Sequence, residues 1–266
     1  MKQENFNQVP QRNKQPLYIA FSTQKGGVGK TALTVITASY LHYMTNYKVG
    51  IIDCDYPQYS VQEMRERDIR QIEENPYYGN LAEKQFSALN KSLYPVEVST
   101  VEDALSSADK MIRDYDMDFD ILFFDLPGTL NTPGFIGTIS GMDYIFSPIS
   151  ADRMVLRSTL TFAQAFNDMY LKPGNVKTKG LYLFWNLVDQ RESTEVYDEY
   201  TASIEEIGLT ILSTRLPDSK RFRKELSVYN KAIFRSTVFP VDKALMKGSR
   251  IDELMAEIGT ITGLDI

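Results

Sequence analysis

The sequence predicts an α/β fold of three layers, a mostly parallel sheet flanked by helices. Three observations carry that expectation. Short apolar runs of strand length alternate with stretches of helical spacing along the chain. A turn rich in Gly and Lys stands between the first such strand and the first helix. No Pro/Gly-rich linker and no internal repeat divides the 266 residues, so a single domain accounts for them.

Residues 1–16 carry Lys2, Arg12 and Lys14 against Glu4, show no periodic apolar pattern, and read as a flexible polar tail. The single domain is expected over 17–266. Residues 17–22, Leu-Tyr-Ile-Ala-Phe-Ser, are a buried strand, and 31–43 follow at helical spacing. Residues 49–53 form a second strand, so the chain opens strand, loop, helix, strand. That order favours a parallel sheet with right-handed crossovers. Residues 61–74 are charged and lack Gly and Pro, which reads as an exposed helix ended by Asn75-Pro76. Residues 81–93 and 101–115 read as helices, the second with Ser99 or Thr100 as its cap.

Residues 120–125 are a buried strand ending in an acid, and 144–147 are another. A helix is expected over 154–169, a strand over 180–185, and a helix over 194–207 closed by Gly208. A short strand follows at 210–213 and a basic helix at 219–230. Residues 251–261 are a last amphipathic helix with Leu254, Met255 and Ile258 on one face.

Composition removes several classes. At 43% hydrophobic and 24% charged residues the chain is neither disordered, collagen-like nor a coiled coil. No run approaches the ~18 apolar residues of a membrane span. The polar start has no apolar segment of the kind a secretory signal needs, so a cytoplasmic location is expected. One cysteine, Cys54, allows no internal disulfide, and one histidine, His42, allows no multi-His metal site. Cys54 reads as a small buried side chain and His42 as a helix residue without a visible partner. Trp185, Phe123 and Phe124 lie in buried strands and read as core. Glu63, Glu66, Asp68, Glu73 and Glu74 are interleaved with Arg65, Arg67 and Arg70, the pattern of a solvated helix face.

The chemistry begins at Gln24-Lys-Gly-Gly-Val-Gly-Lys-Thr31. Placed between a strand and a helix, such a string cradles phosphate: glycines let backbone N–H groups converge on an anion, and the helix start adds positive charge. Lys30 can reach β- and γ-phosphates, and the Thr31 hydroxyl can ligate Mg²⁺. The usual spacing, G-x-x-x-x-G-K-[ST], needs Gly where Gln24 stands; the string instead fits K-G-G-x-G-K-[ST]. A lysine at the loop's start, Lys25, is poorly placed for its own nucleotide. It can reach phosphates held by a second subunit, as an arginine finger does.

At these residues the chain resembles the ParA/MinD group of deviant Walker A P-loop ATPases, closest to the Soj-like partition ATPases. Asp53-Cys-Asp-Tyr-Pro-Gln58 is similar to that group's D-x-D-P-Q, with Tyr56 as one extra residue. Ile121-Leu-Phe-Phe-Asp-Leu-Pro-Gly128 is similar to its Walker B strand, and Trp185-Asn186 and Leu216-Pro217 fit its adenine positions. The resemblance implies a Mg²⁺-dependent ATPase with slow, partner-stimulated hydrolysis. It places ATP or ADP on Lys25, Gly26, Gly27, Val28, Gly29, Lys30, Thr31, Ala32, Asn186 and Pro217, and Mg²⁺ by Thr31, Asp55 and Asp125. Asp55 would position the attacking water, with Asp53 as the fallback because Tyr56 shifts the spacing. Lys25 and Lys30 would complete the reaction. The expected partners are a second copy on ATP binding, nonspecific DNA, and a ParB-like or cargo protein, in partition or transfer of a plasmid, chromosome or mobile element. The cysteine count excludes the nitrogenase iron protein and the arsenite-pump ATPases. The last helix has an acidic polar face, so it is expected to face the core and not a membrane, unlike that of MinD.

Charge is segregated. Residues 215–250 hold ten basic and three acidic residues, a net of +7 within a chain of −6, so the remainder is −13. Lys220, Arg221, Arg223 and Lys224 form the tightest cluster, at the place where ParA proteins bind DNA nonspecifically, which would bring a nucleoid association. Two other readings stay open: a positioning ATPase for a protein cargo without DNA, and a metabolic ligase of the same superfamily like dethiobiotin synthetase.

Overall fold

The computed structural model describes residues 15–129, 131–189, 191–229 and 232–266. The expected tail lies outside these except for its last two residues. Seven strands form one sheet: β1 (Leu17–Phe21), β2 (Val49–Asp53), β3 (Val96–Val98), β4 (Ile121–Asp125), β5 (Tyr144–Ile149), β6 (Gly180–Val188) and β7 (Thr210–Pro217). Their order is β3-β2-β4-β1-β5-β6-β7 and every pairing is parallel. Parallel neighbours require crossovers, which the helices supply.

The helices are α1 (Lys30–Met44), α2 (Ser60–Glu74), α3 (Pro76–Leu89), α4 (Ala104–Asp114), α5 (Phe135–Ser140), α6 (Arg153–Phe166), α7 (Thr194–Glu206), α8 (Lys243–Met246) and α9 (Ile251–Thr262). Strand alternation divides the core in two. Ile19, Phe21, Ile121 and Phe123 meet α1, α2 and α9 on one face, while Tyr18, Ala20, Leu122 and Phe124 meet α4 to α7 on the other. The three-layer arrangement therefore stands as the sequence predicts. Leu254, Met255 and Ile258 of α9 are buried, as expected, and no described helix is long and apolar enough to cross a membrane.

Several elements differ from expectation. Pro76 ends α2 but also opens α3, five residues earlier than the predicted 81–93. Asn75 Oδ1 accepts from Tyr77 N at 3.0 Å, and a proline in the first turn needs no N–H partner. The edge strand β3 and the short helices α5 and α8 are too short to show a period. The helix expected over 219–230 is not formed at 219–229, residue 230 lying outside the described residues: Lys220–Arg223 make one 3-10 turn, after which Phe234 N and Arg235 N donate back to Lys224 O. The reason is Phe222, which packs on Phe234 at 4.8 Å between ring centres and anchors the chain at that turn.

The α2 face is also only partly solvated. Arg65 and Asp68 are 8% and 3% exposed. Asp68 Oδ2 accepts from Thr237 N at 2.7 Å and from the Ser236 and Thr237 hydroxyls at 2.9 Å each. Arg65 Nη1 donates to Tyr94 O at 2.9 Å and Nε to Thr237 Oγ1 at 3.0 Å. Loop 232–241 lies over this part of the helix and offers hydroxyls and carbonyls where water was expected.

His42 is likewise partnered. Val49 N donates to Nδ1 at 3.3 Å, which leaves the ring proton on Nε2, 3.0 Å from Ser92 O. Burial pushes its pKa down to about 4, with Lys91 and Arg65 acting the same way and the Ser92 carbonyl opposing them. The neutral ring's contribution is thus complete above about pH 6.5 and is lost as the pH falls toward 4, about 3 kcal/mol at most. Urea midpoints should fall across that window, and His42→Gln should flatten the slope. A wild-type slope that His42→Gln leaves unchanged would refute this.

Candidate functional site

Between β1 and α1 the chain turns through Ser22 to Gly29, above the carboxyl edge of the sheet and with β4 and β5 on either side of β1. That edge is where open parallel sheets bind ligands. Gly27 and Gly29 have φ of 81° and 85°, a left-handed backbone that glycine adopts without strain. Among the described residues no side chain caps α1, which leaves the N–H groups of its first turn able to meet an anion. The loop after β4 lies directly against this turn. A Cβ on Gly128 would come within 3.0 Å of Gly26 N, the Lys25 carbonyl carbon and Lys30 Nζ. Gly128 thus packs closely against the turn, a contact its place in the Walker B-like string did not specify.

Lys30, Thr31, Asp55 and Asp125 converge at this loop. Asp125 ends β4 fully buried, and neither carboxylate oxygen has a hydrogen bond of good geometry among the described residues. Burial raises its pKa. The Thr31 hydroxyl and the Lys30 ammonium pull it down, and Asp53 and Asp55 push it up. Burial lowers the pKa of Lys30, and Asp125 and then Asp55 oppose that. Among the described residues Lys30 Nζ makes only a long contact of 3.4 Å, to Lys25 O. An unsatisfied buried carboxylate beside a hydroxyl and an ammonium is costly in isolation, and its chemistry fits a bound cation.

The two acids at the end of β2 and just beyond it differ in their surroundings. Asp53 Oδ2 accepts from Val61 N and Gln62 N at 3.0 Å each, and Oδ1 accepts from Asp55 N at 3.3 Å. It holds the start of α2 and the foot of the loop, and burial raises its pKa against those three backbone donors. Asp55 is half-buried and close enough to influence both Lys30 and Asp125. Tyr56, the extra residue, is 69% exposed, and the loop there has a cis Tyr56-Pro57 bond and a left-handed Tyr59. Cys54 is buried between them, as expected, with burial first raising its thiol pKa.

Val28 and Ala32 are buried, and Lys25 is exposed. Asn186 and Pro217 lie near the carboxyl ends of β6 and β7, where Val188 pairs with Pro217. Asn186 Nδ2 donates to Val28 O at 2.9 Å. Of the basic cluster, Lys220, Arg223 and Lys224 are exposed. Arg221 is held, its Nη1 donating to Lys247 O at 2.5 Å.

A family model described as the CobQ/CobB/MinD/ParA nucleotide binding domain matches residues 19–228. Among curated proteins no sequence matches. A plasmid partition protein of Borrelia burgdorferi is similar in structure, with a TM-score of 0.55 at 14% identity over 92% of this chain and 100% of that one. The MinC:MinD cell division complex of Aquifex aeolicus gives 0.52 at 17%, over 90% and 96%. Cobyrinic acid a,c-diamide synthase from Mycobacterium smegmatis, with bound ADP and magnesium, gives 0.52 at 17%, over 77% and 88%. At these identities the likeness is one of fold.

Proposed function

The chain belongs to the CobQ/CobB/MinD/ParA nucleotide-binding family, and from that premise we propose that it is a Mg²⁺-dependent ATPase switch. It dimerises on ATP and binds DNA without sequence preference, in partition or transfer of a plasmid, chromosome or mobile element. The observation that carries the nucleotide reading is the buried, unsatisfied Asp125 carboxylate beside Thr31 and Lys30 under a glycine loop.

Lys30 binds the β- and γ-phosphates, and the loop amides hold the remaining phosphate charge. Mg²⁺ fits Thr31 and Asp125, with Asp55 nearby. Among the described residues no cluster of three acidic, His or Cys side chains forms a closed metal cage, and Mg²⁺ ordinarily takes few protein ligands besides phosphate and water. When bound, the ion neutralises charge developing on the phosphates. Asp55 orients the attacking water. The exposed Lys25 reaches the nucleotide of a second subunit.

DNA binding rests on Lys220, Arg223 and Lys224 and on the +7 segment that carries them. Arg221, tied to Lys247 O, makes a poor probe, because replacing it removes a structural contact together with a charge. The double variant Arg223→Glu/Lys224→Glu tests the reading. Wild type should bind random duplex DNA with ATP and not with ADP, with affinity falling steeply as salt rises. The variant should lose at least about tenfold and show a shallower salt slope. ATP binding with no DNA binding at any salt would sink the DNA part and favour a positioning ATPase for a protein cargo.

A further inference from the structure

β6 is irregular where it reaches the phosphate loop. Its register with β7 shifts between Leu183 and Trp185 and again between Trp185 and Val188. Leu187 has a φ of 56°, a left-handed backbone that a bulky side chain adopts only under strain. Trp185 and Val188 both pack on the α4 to α7 side, so one residue between them is out of alternation. Trp185 is fully buried and donates through Nε1 to Thr201 Oγ1 at 2.9 Å, which fastens the strand to α7. Asn186, on the other side, donates through Nδ2 to Val28 O at 2.9 Å, across 158 positions of sequence. The same Nδ2 lies 3.1 Å from where a Cβ on Gly29 would stand.

We propose that Asn186 is a positioning residue of the phosphate loop, with the strained bulge at Leu187 serving to aim it. This rests on the nucleotide-binding reading and adds to it a link from β6 to the phosphates that is separate from any contact with the base. Val28 O and Gly29 N–H belong to one planar trans peptide and point in opposite directions. Holding the carbonyl toward β6 therefore turns the Gly29 N–H away from it, toward the side where an anion would bind. Val28 O can only accept, so the amide's nitrogen must face the loop, and Oδ1 is left on the other side. Strain at Leu187 is the kind that persists where the surroundings impose it for a function.

The test separates a loop-positioning residue from a base-reading one by using a ligand without a base. Wild type and Asn186→Ala are titrated with Mg²⁺-tripolyphosphate and with Mg²⁺-ATP, and urea midpoints are recorded for both. The expected result is a loss of about tenfold in tripolyphosphate affinity, the scale of one buried hydrogen bond, with ATP weakened at least as much. Unchanged tripolyphosphate affinity with weakened ATP would overturn the proposal, as would a lowered urea midpoint with tripolyphosphate affinity intact. Wild type is informative alone, should the variant fail to fold. Tripolyphosphate should slow amide exchange at residues 186–188 as well as in the loop, and protection confined to 24–32 counts against the link. Wild type that binds neither ligand would refute the nucleotide reading itself, an outcome visible before any variant is made.

Discussion

Lys30→Ala is expected to give a folded protein whose ATP affinity has dropped at least about a hundredfold, the scale of losing two charge-assisted hydrogen bonds. Folding should survive because little depends on this side chain. Among the described residues its one hydrogen bond is the 3.4 Å contact to Lys25 O, and burial already works against its charge. The loop keeps its shape through backbone: glycines at left-handed φ, the α1 hydrogen bond from Leu33 N to Gly29 O, and the close approach of Gly128. Binding should not survive, because the ammonium is the one cation that Asp125 and Asp55 both face there among the described residues. Phosphate would then meet carboxylates with only loop amides to offset them. Lys25→Ala is the paired measurement. Its side chain is exposed, so ATP should still bind while turnover falls. Calorimetric titration with ATP and Mg²⁺ reads both. Lys30→Ala binding within threefold of wild type would mean that the site does not hold phosphate in this way.

The turn between β1 and α1 was legible because its signal is local. Glycines, a lysine and a threonine at fixed spacing between a strand and a helix leave few other conformations. Asp125 was legible for the same reason, as an acid at the end of an apolar run. The backbone donors that hold Asp53 were not, because they depend on where the first turn of α2 falls after a loop with one extra residue. The failures further along the chain share another cause. Residues 219–230 have the composition of a basic helix, but one long-range pair, Phe222 on Phe234, sets the backbone there. Arg65 and Asp68 have the spacing of a solvated face, but the groups that bury them come from residues 236 and 237. Periodicity reports which side of a helix is apolar. It is silent about a loop that arrives some 170 positions later bearing hydroxyls and carbonyls.

That buried polar cluster is where substitution should cost most stability. Asp68→Ala is expected to destabilise the fold by about 3–5 kcal/mol, a large share of the ~5–15 kcal/mol stability of an ordinary domain. The carboxylate accepts three hydrogen bonds through one oxygen, from Thr237 N, Thr237 Oγ1 and Ser236 Oγ. Removing it strands three donors and leaves the Arg65 guanidinium buried without that charge nearby. The pKa of Asp68 bears on the balance. Burial raises it, and the Thr237 and Ser236 bonds pull it down, so the hydrogen bonds offset a desolvation cost already incurred. The damage should not stay local. Ser236 and Thr237 lead into Val238 and Phe239, which with Ile233, Tyr78 and Ala82 form a small separate core under α3. On the other side, Phe234 N and Arg235 N hold Lys224 O, so the basic turn is tied to the same segment. Loss of the anchor should therefore loosen the α3 contact and the basic turn together. Glu66→Ala, on the exposed side of the same helix, should stay within about 0.5 kcal/mol of wild type. Urea unfolding of the two variants decides the matter: an Asp68→Ala midpoint indistinguishable from that of Glu66→Ala would mean that the cluster is satisfied by water and carries no stability of its own.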